Sequence, residues 1–459
     1  MENLTAVVLA AGQGTRMKSQ WPKVLHKVCG VPMAEQVIRT VKKAGFEKCV
    51  VITGFKEDLV RESLAGKNIY FVHQEEQLGT AHAVMQAVPS FKDNRDGYVL
   101  VVCGDTPLLR RETIERLACA CREHDGAAAV LTAIMDNPFG YGRVLRDAKG
   151  HMTSIVEQKD GTPEQLAVHE INTGTYVFKT GALLDSLQKV DNKNAQGEYY
   201  LTDVFEILIK AGQKVIPVAA EDASETMGVN SRIQLAEADH ILRLRKAEDL
   251  MAEGVTIIDP HNTYIEQDVE VGQDTVILPG TMLQGKTKVG KNCILGPETQ
   301  LTDVICGDGN YLNRVYAHSC ELGENNEIGP FVHLRPDTCL HNDIKIGNFV
   351  EVKNSNVDDG TKLPHLIYCG DSDLGKHVNF GCGTVTVNFD GKNKHRCMID
   401  EHAFIGCNTN LVAPVHVGAR AFTAAGSTIT KDVPAKALAV GRAKQVNIEN
   451  WVKEDTYKD

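Results

Sequence analysis

Positive charge is what this sequence has least of relative to need. Its 49 Lys and Arg face 60 Asp and Glu, giving a formal net charge of −11. General nucleic-acid and membrane-surface binders require a basic surface, so neither class is expected, and any anion site must be a local pocket of cations. Long apolar runs are missing too. No segment approaches the roughly 18 apolar residues of a membrane span. The opening "MENLTAVVLA" lacks the basic start and long apolar core of a secretory signal. The 13 cysteines contain no CxxC pair, which argues against a zinc site. An odd count without a secretion signal reads as reduced thiols in a cytoplasmic protein.

What is present divides into two halves. A chain of 459 residues, with 42% hydrophobic and 24% charged residues, is long enough for two or three cores. Over residues 1–232, strand-like runs ("TAVVLA", "CVVIT", "NIYFVH", "YVLVVCGD", "AAAVLTAIM") alternate with helical stretches such as "MAEQVIRTVKKAG" and "TAHAVMQAV". That order predicts a doubly wound α/β sheet. Residues 231–254 have no internal Gly or Pro and read as one helix ending at Gly254, so 233–253 form a linker helix.

From residue 254 to 459 the period changes. Ile265, Val271, Ile277, Leu283, Val289, Leu295 and Leu301 stand six apart, and the register resumes at Leu322–Val352 and again at Ile399–Val417. Four residues after most of the first series come Val269, Thr275, Thr281, Thr287, Cys293 and Thr299, and glycine often follows the aliphatic. A β-sandwich would alternate by two with irregular turns. A period of six predicts a hexapeptide β-helix, three units to a triangular coil. Similarity to known left-handed β-helices implies the left hand. The interruptions near 302–321 and 354–372 read as loops leaving the coil, the second long enough to carry function.

The stretch "LAAGQGTRM" follows the first strand, as a phosphate loop would. A dinucleotide fingerprint needs a third glycine where Met17 stands, and a ribose-binding acid on a second strand, whereas Glu35 falls in a helical stretch. Arg16 and Lys23 beside backbone N–H donors suit a triphosphate instead. With "PKVLHKVCGVPM", "QEEQLGTAHAV", "CGDTPLL", "GYGRV", "IVEQKD", "EINTG", "EYYLTD" and "GVNSR" in order, residues 1–232 resemble the nucleoside-diphosphate-sugar pyrophosphorylases. The resemblance implies UTP-dependent nucleotidyl transfer with Asp105 and Asn230 as ligands of Mg²⁺. Leu9, Ala10, Ala11, Gly12, Gln74, Gly79, Thr80 and Gly104 would hold the nucleotide. Gly142, Glu157 and Asn172 would hold the amino sugar, with Lys23 and Arg16 neutralising phosphate charge.

In the second half, Arg335, Lys353, His365 and Tyr368 concentrate in one section of the repeats. Two cations, a phenol and a potential general base suit an anionic sugar phosphate whose amine must lose a proton. Histidine is the side-chain type that titrates near neutrality. The stretch resembles the acetyltransferase half of the bacterial bifunctional N-acetylglucosamine-1-phosphate uridyltransferase/glucosamine-1-phosphate acetyltransferase family. That similarity implies His365 as the proton acceptor and Arg335, Lys353, Tyr368 and Asn379 on the sugar phosphate. It places Cys382, Asn388, Phe389, Cys407, Ala425 and Arg442 along the acetyl-CoA groove. Cys382, Phe389 and Cys407 depart from the alanine, tyrosine and serine common there, each preserving bulk.

The reading is a two-step enzyme of UDP-N-acetylglucosamine synthesis that feeds cell-wall synthesis, assembled as a homotrimer by resemblance. One alternative is a single-activity sugar-1-phosphate nucleotidyltransferase with a structural β-helix, which would need no His365 beside Lys353 and Arg335. Another is a silent regulatory subunit, which would be expected to lose Lys23, Asp105 or Arg16.

Overall fold

The computed structural model describes residues 4–452. Two compact units divide the chain, Met1–Leu242 and Arg243–Asp459. The division falls inside the helix Arg232–Ala252, not at its ends, because the helix serves two cores. Ala238 and Leu242 pack with Val28, Met33 and Leu108, whereas Ala247 and Leu250 join the apolar interior of the second unit. Gly254, at φ +96°, closes it, and Val255 N donates to Leu250 O at 3.0 Å. Among the described residues no helix is long and apolar enough to cross a membrane.

The first unit is an α/β domain around a mixed sheet. Its strands run in the order Val215–Ala219, Ala128–Ile134, Glu170–Lys179, Tyr98–Cys103, Leu4–Leu9, Lys48–Thr53 and Tyr70–His73. Glu170–Lys179 is antiparallel to both neighbours; the other pairings along this path are parallel. The strands Gly142–Arg146 and Met152–Val156, invisible as simple apolar runs, form a hairpin against Glu170–Lys179. The chain leaves Leu4–Leu9 toward Lys48–Thr53 on one side and returns to Tyr98–Cys103 on the other. That reversal opens a crevice at the carboxyl ends of these strands, the place where ligands gather in such sheets.

The second unit is a left-handed parallel β-helix with three walls. The six-residue aliphatics point inward: Ile265, Ile277, Leu283, Leu295 and Leu301 are each at most 1% exposed. The small residues between them also point inward, and their hydroxyls satisfy corner carbonyls. Thr281 Oγ1 donates to Leu278 O and Thr287 Oγ1 to Gln284 O, both at 2.7 Å. The expected loops at 302–321 and 354–372 are not loops. Val289 stacks on Cys306, Cys306 on Leu322, and Leu340 on Val357. The coil tightens by a residue or two at its corners and continues. The excursion from the coil lies instead around 388–396, pinned by a bridge between Phe389 and Lys394.

Candidate functional site

At the crevice of the first unit, Ala10 N donates to Ile52 O and Gly104 N to Leu9 O, both at 2.9 Å. The loops after Leu9 and Cys103 therefore leave one sheet edge side by side. Gly14 is left-handed at φ +67°, and a Cβ there would sit 2.6 Å from the Lys23 Cβ. This glycine lets the Lys23 segment close against the phosphate loop. Lys23 pairs with Asp105 and donates to Asn230 Oδ1 at 2.8 Å; Arg16 donates to the same oxygen at 2.9 Å. One carboxylate and one amide oxygen thus converge with two cations.

Beside them lies a cleft of ≈ 260 Å³ lined by Leu9, Ala11, Gly12, Gln74, Gly79 and Thr80. Ala10, between Leu9 and Ala11, is buried. Gly79, at φ +111°, is required by close approach: a Cβ would lie 2.5 Å from Tyr199 O. Gln74 is held by the His82 ring at 3.0 Å. Sequence reasoning missed Gln77, whose amide donates to Ala11 O at 2.8 Å and braces the loop.

Gly142, Glu157 and Asn172 also come together. Gly142 pairs with Asn172 across the ladder, and a Cβ on Gly142 would lie 3.4 Å from both Glu157 carboxylate oxygens. Burial pushes the Glu157 carboxyl above the usual range, and Thr202 donates to it at 3.2 Å. A register shift between Asn172 and Tyr176 aims the Asn172 side chain; its amide donates to Tyr176 Oη at 2.8 Å. Tyr141 lies close enough to feel Asp105 and Arg16, while burial is the main cause that raises its phenol. Nothing in its spacing announced that closeness to the cations.

In the β-helix, one corner carries a column of residues on successive coils. Asn348 pairs with His365 in register. Gly383 N donates to His365 O at 3.3 Å, Asn408 N to Cys382 O at 2.7 Å, and Gly426 N to Cys407 O at 2.8 Å. Asn348, His365, Cys382, Cys407 and Ala425 are therefore stacked at the coil spacing of about 4.8 Å. His365 is exposed on the strand Lys362–Gly370, which runs through the corner without a break. Its Nδ1 is held by Asn348 Oδ1 at 3.0 Å, leaving Nε2 to face outward. Cys407 is exposed and Cys382 half-buried, and all 13 cysteines are free thiols. Arg442 follows on the next coil, its Cδ 3.9 Å from where a Gly426 Cβ would be.

The adjoining wall gathers cations. Arg335 donates to Glu351 Oε1 at 2.8 Å, and Tyr368 lies in register with Glu351. Lys353 stands against Lys394 of the excursion, and that neighbour above all holds its ammonium below the ordinary range. Asn388, expected along the acyl-donor groove, donates its amide to Tyr368 Oη at 3.3 Å and to Asp371. Phe389 is exposed at the start of the excursion. Asn379 pairs with Lys362 one coil beyond the strand that carries His365. Asn348, Glu351, Asp371 and Lys394 were missed. The signal that could have found Asn348 is its position one coil, 17 residues, before His365.

Residues 6–164 match the family described as MobA-like NTP transferase domain. The chain is 51% identical over 447 residues to the "Bifunctional protein GlmU" of Geobacillus sp. (strain WCH70), covering 97% of each chain. It is 50% identical to the protein of that name from Halalkalibacterium halodurans, over 98% of this chain and 99% of the relative. The Listeria welshimeri protein of that name is 49% identical over 99% of both.

Proposed function

Because the chain belongs to the family of the bifunctional GlmU proteins, we propose that it makes UDP-N-acetylglucosamine in two steps. In the second unit, acetyl passes from acetyl-CoA to the amine of glucosamine-1-phosphate. In the first, an oxygen of the sugar phosphate attacks the α-phosphorus of UTP in line, and pyrophosphate leaves.

The column headed by His365 carries the acetyl-transfer reading. An inert β-helix needs neither an exposed imidazole fixed through Nδ1 nor two cations on the adjoining wall with a third, Lys394, brought against them by the excursion. With Asn348 holding Nδ1, the outward Nε2 takes the proton as the amine attacks the thioester carbonyl. Arg335, Lys353 and Tyr368 hold the phosphate, and Asn379 supports the sugar. The stacked Cys382, Cys407 and Ala425, with Arg442 beyond, line the path for the pantetheine arm. The C–S bond breaks and coenzyme A leaves as the thiol.

In the first unit, Gly12, Gln74, Gly79 and Thr80 hold uridine and the phosphates, and Gly142, Glu157 and Asn172 hold the amino sugar. Asp105 and Asn230 offer two hard oxygens that already face cations, a donor set that fits Mg²⁺. When bound, that ion would supply charge neutralisation on the triphosphate. Lys23 and Arg16 orient the phosphates and balance the charge that builds on the leaving pyrophosphate.

Assembly as a homotrimer belongs to the same reading. Its support is an apolar stripe on one corner: exposed Phe331 and Phe349 stack at 5.4 Å, with Tyr316 and Leu366 beside them around a hollow of ≈ 700 Å³. The product would feed cell-wall synthesis in the bacterial cytoplasm.

A reconstitution with glucosamine-1-phosphate, acetyl-CoA, UTP and Mg²⁺ tests the whole. UDP-N-acetylglucosamine should form only when all four are present. Replacing the first two by N-acetylglucosamine-1-phosphate should restore the last step. Failure to consume acetyl-CoA would leave the single-activity alternative.

A further inference from the structure

One buried charge beside the second site has no role in the chemistry above. Asp371 is 3% exposed and lies one coil beyond Asn354, its N–H donating to Lys353 O at 2.9 Å. Its Oδ1 accepts from Asn354 Nδ2 at 2.5 Å, and its Oδ2 accepts from Asn388 Nδ2. The same Asn388 amide reaches Tyr368 Oη at 3.3 Å. Burial by itself would push the Asp371 carboxyl up. The two amides, then the ammonium groups of Lys353 and Lys394, outweigh burial and hold it below the usual carboxylate range. A buried carboxylate is costly unless such partners converge on it. Here they come from three places: the corner at Asn354, the wall at Lys353, and both ends of the excursion at Asn388 and Lys394.

We propose that Asp371 is a positioning residue for acetyl transfer. It keeps Lys353 and Lys394 side by side as a paired cation for the phosphate, and through Asn388 it fixes the phenol of Tyr368. The inference rests on the second unit being the glucosamine-1-phosphate acetyltransferase. Two adjacent ammonium groups repel, and without a counter-charge they separate or one gives up its proton. The charged groups facing Lys353 are Lys394, Asp371 and Arg335. Lys394 and Arg335 lower its pKa and Asp371 raises it, so removing the carboxylate lowers it further. Phosphate binding must then fail at a less alkaline pH than in the wild type.

The test measures acetyl transfer by the full-length chain as a function of glucosamine-1-phosphate and pH, for wild type and Asp371→Asn. The variant keeps the shape and removes the charge. We expect KM for glucosamine-1-phosphate to rise about tenfold with kcat within about twofold of wild type, and the alkaline limb of kcat/KM to move to lower pH. A variant with the wild-type KM and the wild-type alkaline limb overturns the proposal while leaving the acetyltransferase reading intact. A wild-type chain that consumes no acetyl-CoA overturns that reading and the proposal with it. If Asp371→Asn does not fold, Asn354→Ala decides. It removes one support of the carboxylate outside the cation cluster, and the same two shifts, smaller, are expected; their absence in a folded Asn354→Ala overturns the proposal.

Discussion

Lys23 is tied to two residues far away in sequence, Asp105 and Asn230, and Arg16 shares one of them. A solvated surface lysine makes no such set. Lys23→Ala should lower uridylyl transfer by about 10²–10³, the scale of one preorganised charge at a developing anion, measured as pyrophosphate release. Asp203 makes a different prediction. Burial first, then Glu206, Asp191, Glu157 and Asp160, push its carboxyl up to about 6 from an ordinary 3.8. An acid whose folded value is raised favours folding below its unfolded value and loses that contribution as pH climbs to the folded one. The first unit should therefore lose stability between pH 3.8 and about 6 on this account. Asp203→Asn should raise its melting temperature at pH 7.5 and change it little at pH 3.5, read by calorimetry. At this scale motif order singles out Lys23, Arg16, Asp105 and Asn230, and the fold brings the four side chains together. Gln77, Tyr141, Asn348 and Lys394 were not legible in the sequence. Their roles come from neighbours that only folding supplies.

Elements show the same division. The six-residue aliphatic register names the inward face over residues 265–301, 322–352 and 399–417, since the interior of a three-walled coil accepts little but an aliphatic at that spacing. It fails where a corner drops a residue, as between Cys306 and Leu322. The period breaks there although the wall continues, and so a tightened corner reads as a departing loop. The true excursion near 388–396 is polar and carries no period of its own. Gly290 marks another limit on the element. A Cβ there would meet Gly307 C at 2.6 Å, and backbone cannot move aside as a side chain can. Gly290→Ala should destabilise the β-helix by about 2–4 kcal/mol, seen as an earlier melting transition. In the α/β unit, the antiparallel Glu170–Lys179 strand lacked a plain apolar signature because its bulge interrupts the run with "NTGT". That same bulge aims Asn172.

For the whole molecule, two sites on two units predict reciprocal losses. His365→Ala should abolish acetylation, followed as release of the CoA thiol, and leave uridylyl transfer at the wild-type rate; Lys23→Ala should do the opposite. Sedimentation should give three times the chain mass, and Phe331→Glu should shift it toward one. The amino-acid sequence by itself determined that there are two folds, that one is built on alternating strands and helices and the other on sixes, and which reactive side chains belong to each. Those are local facts, written in periodicity and in turns that only certain residues allow. Only the tertiary structure decided which coil stacks on which, that His365 heads a column held by Asn348, that Asn388 turns toward Asp371, and that the linking helix serves two cores. Such pairings join residues tens to hundreds of positions apart, and they are set by hydrogen-bond register and close packing, which no stretch of sequence contains.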